Sequence, residues 1–124
     1  MRKLYLFILL MVGVTFAITG CVEAGPGGTA RVDGVTAHHD LPIPNTKVYI
    51  QYGSLLSPGT DPGLYDDSTT SNGNAQFSFT GLQKGDYYIY GIGFDSTIGE
   101  VVRAGIPVSL KSGDAVDVIV PVTE

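Results

Sequence analysis

Residues 69–87 read TTSNGNAQFSFTGLQKGDY, and this stretch decides the fold class. Asn72-Gly73 is the pair favoured in tight turns that need positive φ. The reading is therefore a hairpin, with Ser68-Thr69-Thr70 entering the turn and Ala75–Thr80 leaving it. In the second arm Ala75, Phe77 and Phe79 alternate with polar residues, the period of a half-buried strand. Gly81–Asp86 then turns the chain into Tyr87–Phe94 (YYIYGIGF), a further strand.

Outward from this centre the pattern repeats. Thr29–Thr36 is a candidate strand, and Lys47–Tyr52 alternates with Val48, Ile50 and Tyr52 on one face. Between them, Pro42 and Pro44 each remove a ladder donor, which bars a regular central strand over Leu41–Asn45. Residues 53–67 form the longest irregular stretch. Val101–Leu110 and Ala115–Val122 complete the set, with Val116, Val118, Val120 and Val122 on a shared face. No window sustains a helical period. The expected fold is all-β, a seven-stranded Greek-key-type β-sandwich preceded by an N-terminal signal helix.

The first twenty residues differ from the rest. Met1-Arg2-Lys3 is a basic start, and Leu4–Ala17 is a nearly unbroken apolar run. That run is shorter than the roughly 20 residues a spanning helix needs, and it ends in small residues, as a cleaved secretory signal does. Ile18-Thr19-Gly20-Cys21 resembles the bacterial lipobox, with isoleucine where leucine is commoner. The lone cysteine of an exported chain asks for an explanation, and this position gives one. The resemblance implies cleavage before Cys21 and covalent lipid on its sulfur, with no other cofactor. Two or more acyl chains anchor stably where one does not. Residues 1–20 are thus read as signal, 21–27 as a Gly/Pro-rich flexible tether, and 28–124 as the domain. The implied location is the cell envelope, at the outer membrane, facing periplasm or surface.

Without the signal, five Lys and Arg stand against twelve Asp and Glu, a net charge of −7. Such a chain gains nothing from the counterion release that drives phosphate binding, so nucleic acid is excluded as partner.

Several segments stand in a familiar order. Gly28-Thr29-Ala30-Arg31-Val32 comes first, Ile43–Ile50 (IPNTKVYI) second, Thr69–Phe79 third and Gly81–Tyr87 fourth. This order resembles the carboxypeptidase regulatory-like domain, a transthyretin (prealbumin)-like sandwich, over roughly Gly28–Thr123. By the same reading Gly73 supplies a positive φ, Leu82 plugs a turn, and Tyr87 is a tyrosine corner with a buried ring and a backbone-bonded hydroxyl. Those roles concern folding, and a fold does not name an activity. The hydroxyisourate hydrolase branch of this fold carries spaced histidines and a Tyr-Arg-Gly-Ser tail. Here the histidines are adjacent and the chain closes on Pro121-Val122-Thr123-Glu124, so that activity is not expected.

Candidate chemistry is sparse. In His38-His39-Asp40, neighbours on an extended chain point to opposite faces, so only His38 and Asp40 converge, too few for zinc. Asp61, Asp66 and Asp67 lack the spacing of an EF-hand loop and suit turn chemistry. There is no G-x-S-x-G elbow. No catalytic and no metal-binding residue is assigned. The better clue is aromatic surface. With Tyr87 and Ile89 inward, Tyr88, Tyr90 and Ile92 point outward, and Tyr49 and Tyr65 extend the patch. The expected function is a non-catalytic binding or structural module for an envelope protein or glycan. A small-ligand carrier of transthyretin type is the second reading, and a metal-dependent hydrolase centred on His38 and Asp40 the third.

Overall fold

The computed structural model describes residues 22–124; the expected signal helix and Cys21 lie outside them. Eight strands form in chain order: β1 Pro26–His38, β2 Leu41–Pro42, β3 Lys47–Tyr52, β4 Asp67–Thr70, β5 Gln76–Leu82, β6 Gly85–Asp95, β7 Glu100–Leu110 and β8 Ala115–Pro121. The all-β sandwich expected from alternation is the fold found, and β2 is a two-residue ladder beyond the seven strands foreseen. One sheet runs β4-β3-β6-β7, antiparallel throughout. In the other, β1 is central, antiparallel to β5 on one side and parallel to β8 on the other. Ala37 pairs with both Pro42 and Pro121, so β2 continues the β5 edge. Pro42 therefore sits on an edge, the position a proline can occupy in a sheet.

The inner faces close on Val32, Ile50, Ile89, Val102 and Val120, all fully buried. Val116 and Val118 pack against this core from its margin, on the same face of β8. Tyr87 joins them from β6. Its hydroxyl donates to the Gln83 carbonyl at 2.6 Å and accepts from the Gly25 amide at 2.8 Å, the tyrosine corner anticipated from the sequence.

Two expectations are corrected. The Asn72-Gly73 hairpin does not form, because β4 and β5 belong to different sheets. Neither residue has positive φ; the left-handed residue is Ala75, at φ 61°. The Asn72 side chain accepts from the Asn74 and Gln76 amides, giving an Asx-type turn. Buried Ser71 exchanges hydrogen bonds with the Thr46 backbone, its amide donating to the Thr46 carbonyl and its Oγ accepting from the Thr46 amide, both at 2.8 Å. These bonds anchor the end of β4 to the β2–β3 connection, and the chain crosses to the opposite sheet.

The second correction concerns the tether. Residues 24–27 are docked: the Gly25 carbonyl accepts from the Gln83 amide and the Gly27 carbonyl from the Gln83 side chain, each at 2.7 Å. The strand consequently begins two residues before position 28. Gly28 permits the contact, since a Cβ there would stand 2.0 Å from the Leu82 carbonyl oxygen.

Candidate functional site

The outer face of the β3-β6-β7 surface carries the aromatic residues singled out from the sequence. Alternation places Tyr49 and Gln51 of β3, Tyr88, Tyr90 and Ile92 of β6, and Gly105 of β7 on this face. The register then sets Tyr49 beside Tyr90 and Gln51 beside Tyr88. Tyr90 in turn neighbours Gly105. The missing Gly105 side chain leaves a space that the Tyr88 ring fills: a Cβ there would lie 2.4 Å from both the ring edge and the hydroxyl oxygen. Tyr88 thus lies down across the sheet, half-buried.

Tyr65 reaches the same face from the loop between β3 and β4. Asp61 caps the single 3-10 turn of that loop by accepting from the Gly63 amide. Asp66 accepts from the Tyr52 amide at 2.7 Å, and Asp67 from the Ser68 amide at 2.8 Å. Each of these three loop carboxylates thus accepts a backbone amide. Held this way, Tyr65 stacks on Tyr90 with centroids 5.5 Å apart and planes 12° from parallel. Tyr49 tilts against both rings, at 5.8 Å and 6.5 Å. Burial pushes the Tyr65 phenol upward from its ordinary value.

The structure thus brings Tyr49, Tyr65, Tyr88, Tyr90 and Ile92 onto one face, but Tyr90 is not exposed as expected. Only 5% of it is accessible, because Tyr65 covers it. Tyr49, Tyr65, Tyr88 and Ile92 are half-buried. Exposed Phe94 and its cross-strand partner Val101 extend the face and were missed, although Phe94 has the same parity as Tyr88 and Ile92.

The second cluster lies at the end of β1. His38 is buried, and its Nδ1 is 2.8 Å from Oδ2 of buried Asp95. Hydrogen bonds from His38 and Thr97 hold the Asp95 carboxyl down at about 2, so it is ionised and can only accept; Nδ1 therefore carries the proton. His39 and Asp40 form a two-residue loop, both at positive φ (48° and 65°), between paired His38 and Leu41. That backbone overturns the opposite-faces expectation: the His39 ring swings back to 4.3 Å from the His38 ring. The residue joining the histidines is Glu124, in place of Asp40, with its Oε1 3.8 Å from His38 Nε2. Nothing local in the sequence signals this.

Among the described residues, three buried side-chain polar atoms lack a hydrogen-bond partner: Gln51 Oε1, Tyr90 Oη and His38 Nε2. The first two belong to the tyrosine face and the third to the histidine cluster. Buried polar groups are nearly always paired, so each of these three atoms stands out from the rest of the described interior.

An open groove of about 560 Å³ lies elsewhere, lined by polar groups including Asp33, Asn72, Gln76 and Asp117. Its aromatic neighbour Phe77 is turned into the core and offers no ring to a ligand.

No protein-family model matches the chain, and no curated protein does. Among solved structures it is similar to a Pseudomonas aeruginosa protein described as a candidate carbohydrate binding protein. The TM-score is 0.50 at 17% identity, over 79% of this chain and 91% of that one. At that identity the likeness is one of fold.

Proposed function

We propose that this chain is an envelope lipoprotein, anchored through Cys21, whose sandwich binds a glycan without catalysing a reaction on it. The observation that carries the binding half is Tyr88 lying flat across Gly105 beside the Tyr49–Tyr65–Tyr90 cluster. A sugar ring presents apolar C–H faces and polar rims. A recumbent aromatic ring meets the faces, and tyrosine hydroxyls with Gln51 meet the rims. The acidic surface suits a neutral partner better than an anionic one. The description of the Pseudomonas aeruginosa protein as a candidate carbohydrate binding protein supports the same reading. Anchoring rests on the lipobox resemblance at Ile18–Cys21, and the sandwich on the carboxypeptidase regulatory-like order of segments.

Affinity electrophoresis of the full chain in detergent, through gels containing neutral polysaccharides, tests the binding. Retardation by at least one polysaccharide is expected, with about tenfold weaker binding in Tyr88→Ala. Equal retardation of both proteins would remove the tyrosine face from the proposal, and capture of a protein in place of any glycan would favour the protein-binding reading. The anchor has a separate test: Cys21→Ser should lose metabolic fatty-acid labelling and leave the membrane fraction.

A further inference from the structure

The geometry points to a divalent transition-metal site, of the kind zinc occupies, formed by His38, His39 and Glu124. One ligand atom from each of the three lies within 4.8 Å of the other two. Donors around a tetrahedral zinc stand about 3.4 Å apart, given bond lengths near 2.1 Å. Closing that distance needs movement of roughly an ångström, and His39 and Glu124 are both exposed and free to make it.

His38 itself is already placed. Its Nδ1 faces Asp95, and its Nε2, in a residue 4% exposed, is buried without a hydrogen-bond partner and turned towards Glu124. A carboxylate behind one imidazole nitrogen is the usual arrangement behind a metal-bound histidine, because it fixes the tautomer and makes the free nitrogen a better donor. Asp95 is in turn fixed by the Thr97 amide at 2.9 Å and by the Thr97 hydroxyl. Glu124 is brought in by the antiparallel bridge between Thr123 and Arg103, whose two backbone hydrogen bonds measure 2.7 and 3.1 Å.

Charge agrees. Glu124 faces the two imidazoles, Asp95 stands behind His38, and among the described residues neither carboxylate has a lysine or arginine partner within ion-pair distance. A dication supplies the missing positive charge. The loop chemistry agrees as well. Positive φ at both positions of a two-residue loop is the Asn-Gly or Asp-Gly geometry, and histidine at its first position carries backbone strain that Asn or Gly would relieve. Metal coordination by that imidazole is a gain that offsets the strain. Three protein ligands leave a fourth position open, and a hollow of about 240 Å³ lined by His39, Asp40 and Thr123 lies beside His39.

Equilibrium dialysis of the full chain in detergent against Zn²⁺, with metal analysis, tests the site. His39→Asn retains the loop's left-handed preference and Glu124→Gln retains its volume, so both variants keep the fold, as circular dichroism will show. One Zn²⁺ per chain is expected, bound at least tenfold more weakly by either variant. Co²⁺ in place of Zn²⁺ should give the strong visible absorption of a four-coordinate ion in the unmodified chain and in neither variant. Substoichiometric uptake, or wild-type affinity in either variant, would overturn the site.

Discussion

Tyr87 and Tyr90 stand three residues apart on β6, both at least 95% buried, on opposite faces of one sheet. The inner hydroxyl bridges Gly25 and Gln83, tying the start of the domain to the β5–β6 turn. The outer hydroxyl has no partner at all. Burial alone does not distinguish these residues, but the satisfaction of their polar atoms does. The paired hydroxyl of Tyr87 holds the fold together, whereas Tyr90 is held by ring stacking under a covering loop.

The sharpest way to break this contrast is to remove each hydroxyl. Tyr87→Phe leaves the Gly25 amide and Gln83 carbonyl short of a partner and should cost about 1–3 kcal/mol in urea unfolding, without altering glycan retardation. Next in size is Gly105→Val. Its Cβ would occupy the space of the Tyr88 ring, so Tyr88 must lift off the sheet. Glycan affinity should fall by about tenfold while the inner core is untouched. Tyr90→Phe is expected to change stability by between nothing and about 1 kcal/mol in the favourable direction, because it deletes an unpaired polar atom. A loss as large as that of Tyr87→Phe would show that the two faces are not different in kind.

Smallest of all is Asp33→Asn on the outer face of the other sheet. Hydrogen bonds from Arg31 and then Ser78 hold the Asp33 carboxyl below its ordinary value. A folded value below the unfolded one contributes stability above the unfolded value, near pH 4, and loses it as pH falls through the folded one. Both side chains are exposed, so the thermal midpoint should hardly move at pH 7, and the difference between the proteins should vanish in acid.

Alternation made the inner face legible. Lys47–Tyr52 has its expected bounds, and Tyr87 its expected bonds, because a strand period and a corner tyrosine are local signals. The hairpin misreading came from trusting Asn72-Gly73. Whether two strands pair across a turn is settled by what the flanking residues touch, and Ser71 touches Thr46, well away in sequence. The outer face was half legible. Parity put Tyr90 outward correctly, but the ring that covers it comes from a loop with no period to read. The histidine cluster was not legible: it depends on a left-handed His39 and on a glutamate brought in from the far end of the chain.

The pairing of β1 with β8 has a consequence in time. β1 is the middle of its sheet, and its parallel neighbour lies more than eighty residues further along, so seven rungs from Arg31 to Ala37 wait for residues 115–121. Contacts of such long sequence separation are slow to close. The β3-β6-β7 layer closes contacts without β8, but β1 stays half-zipped until residues 115–121 join it.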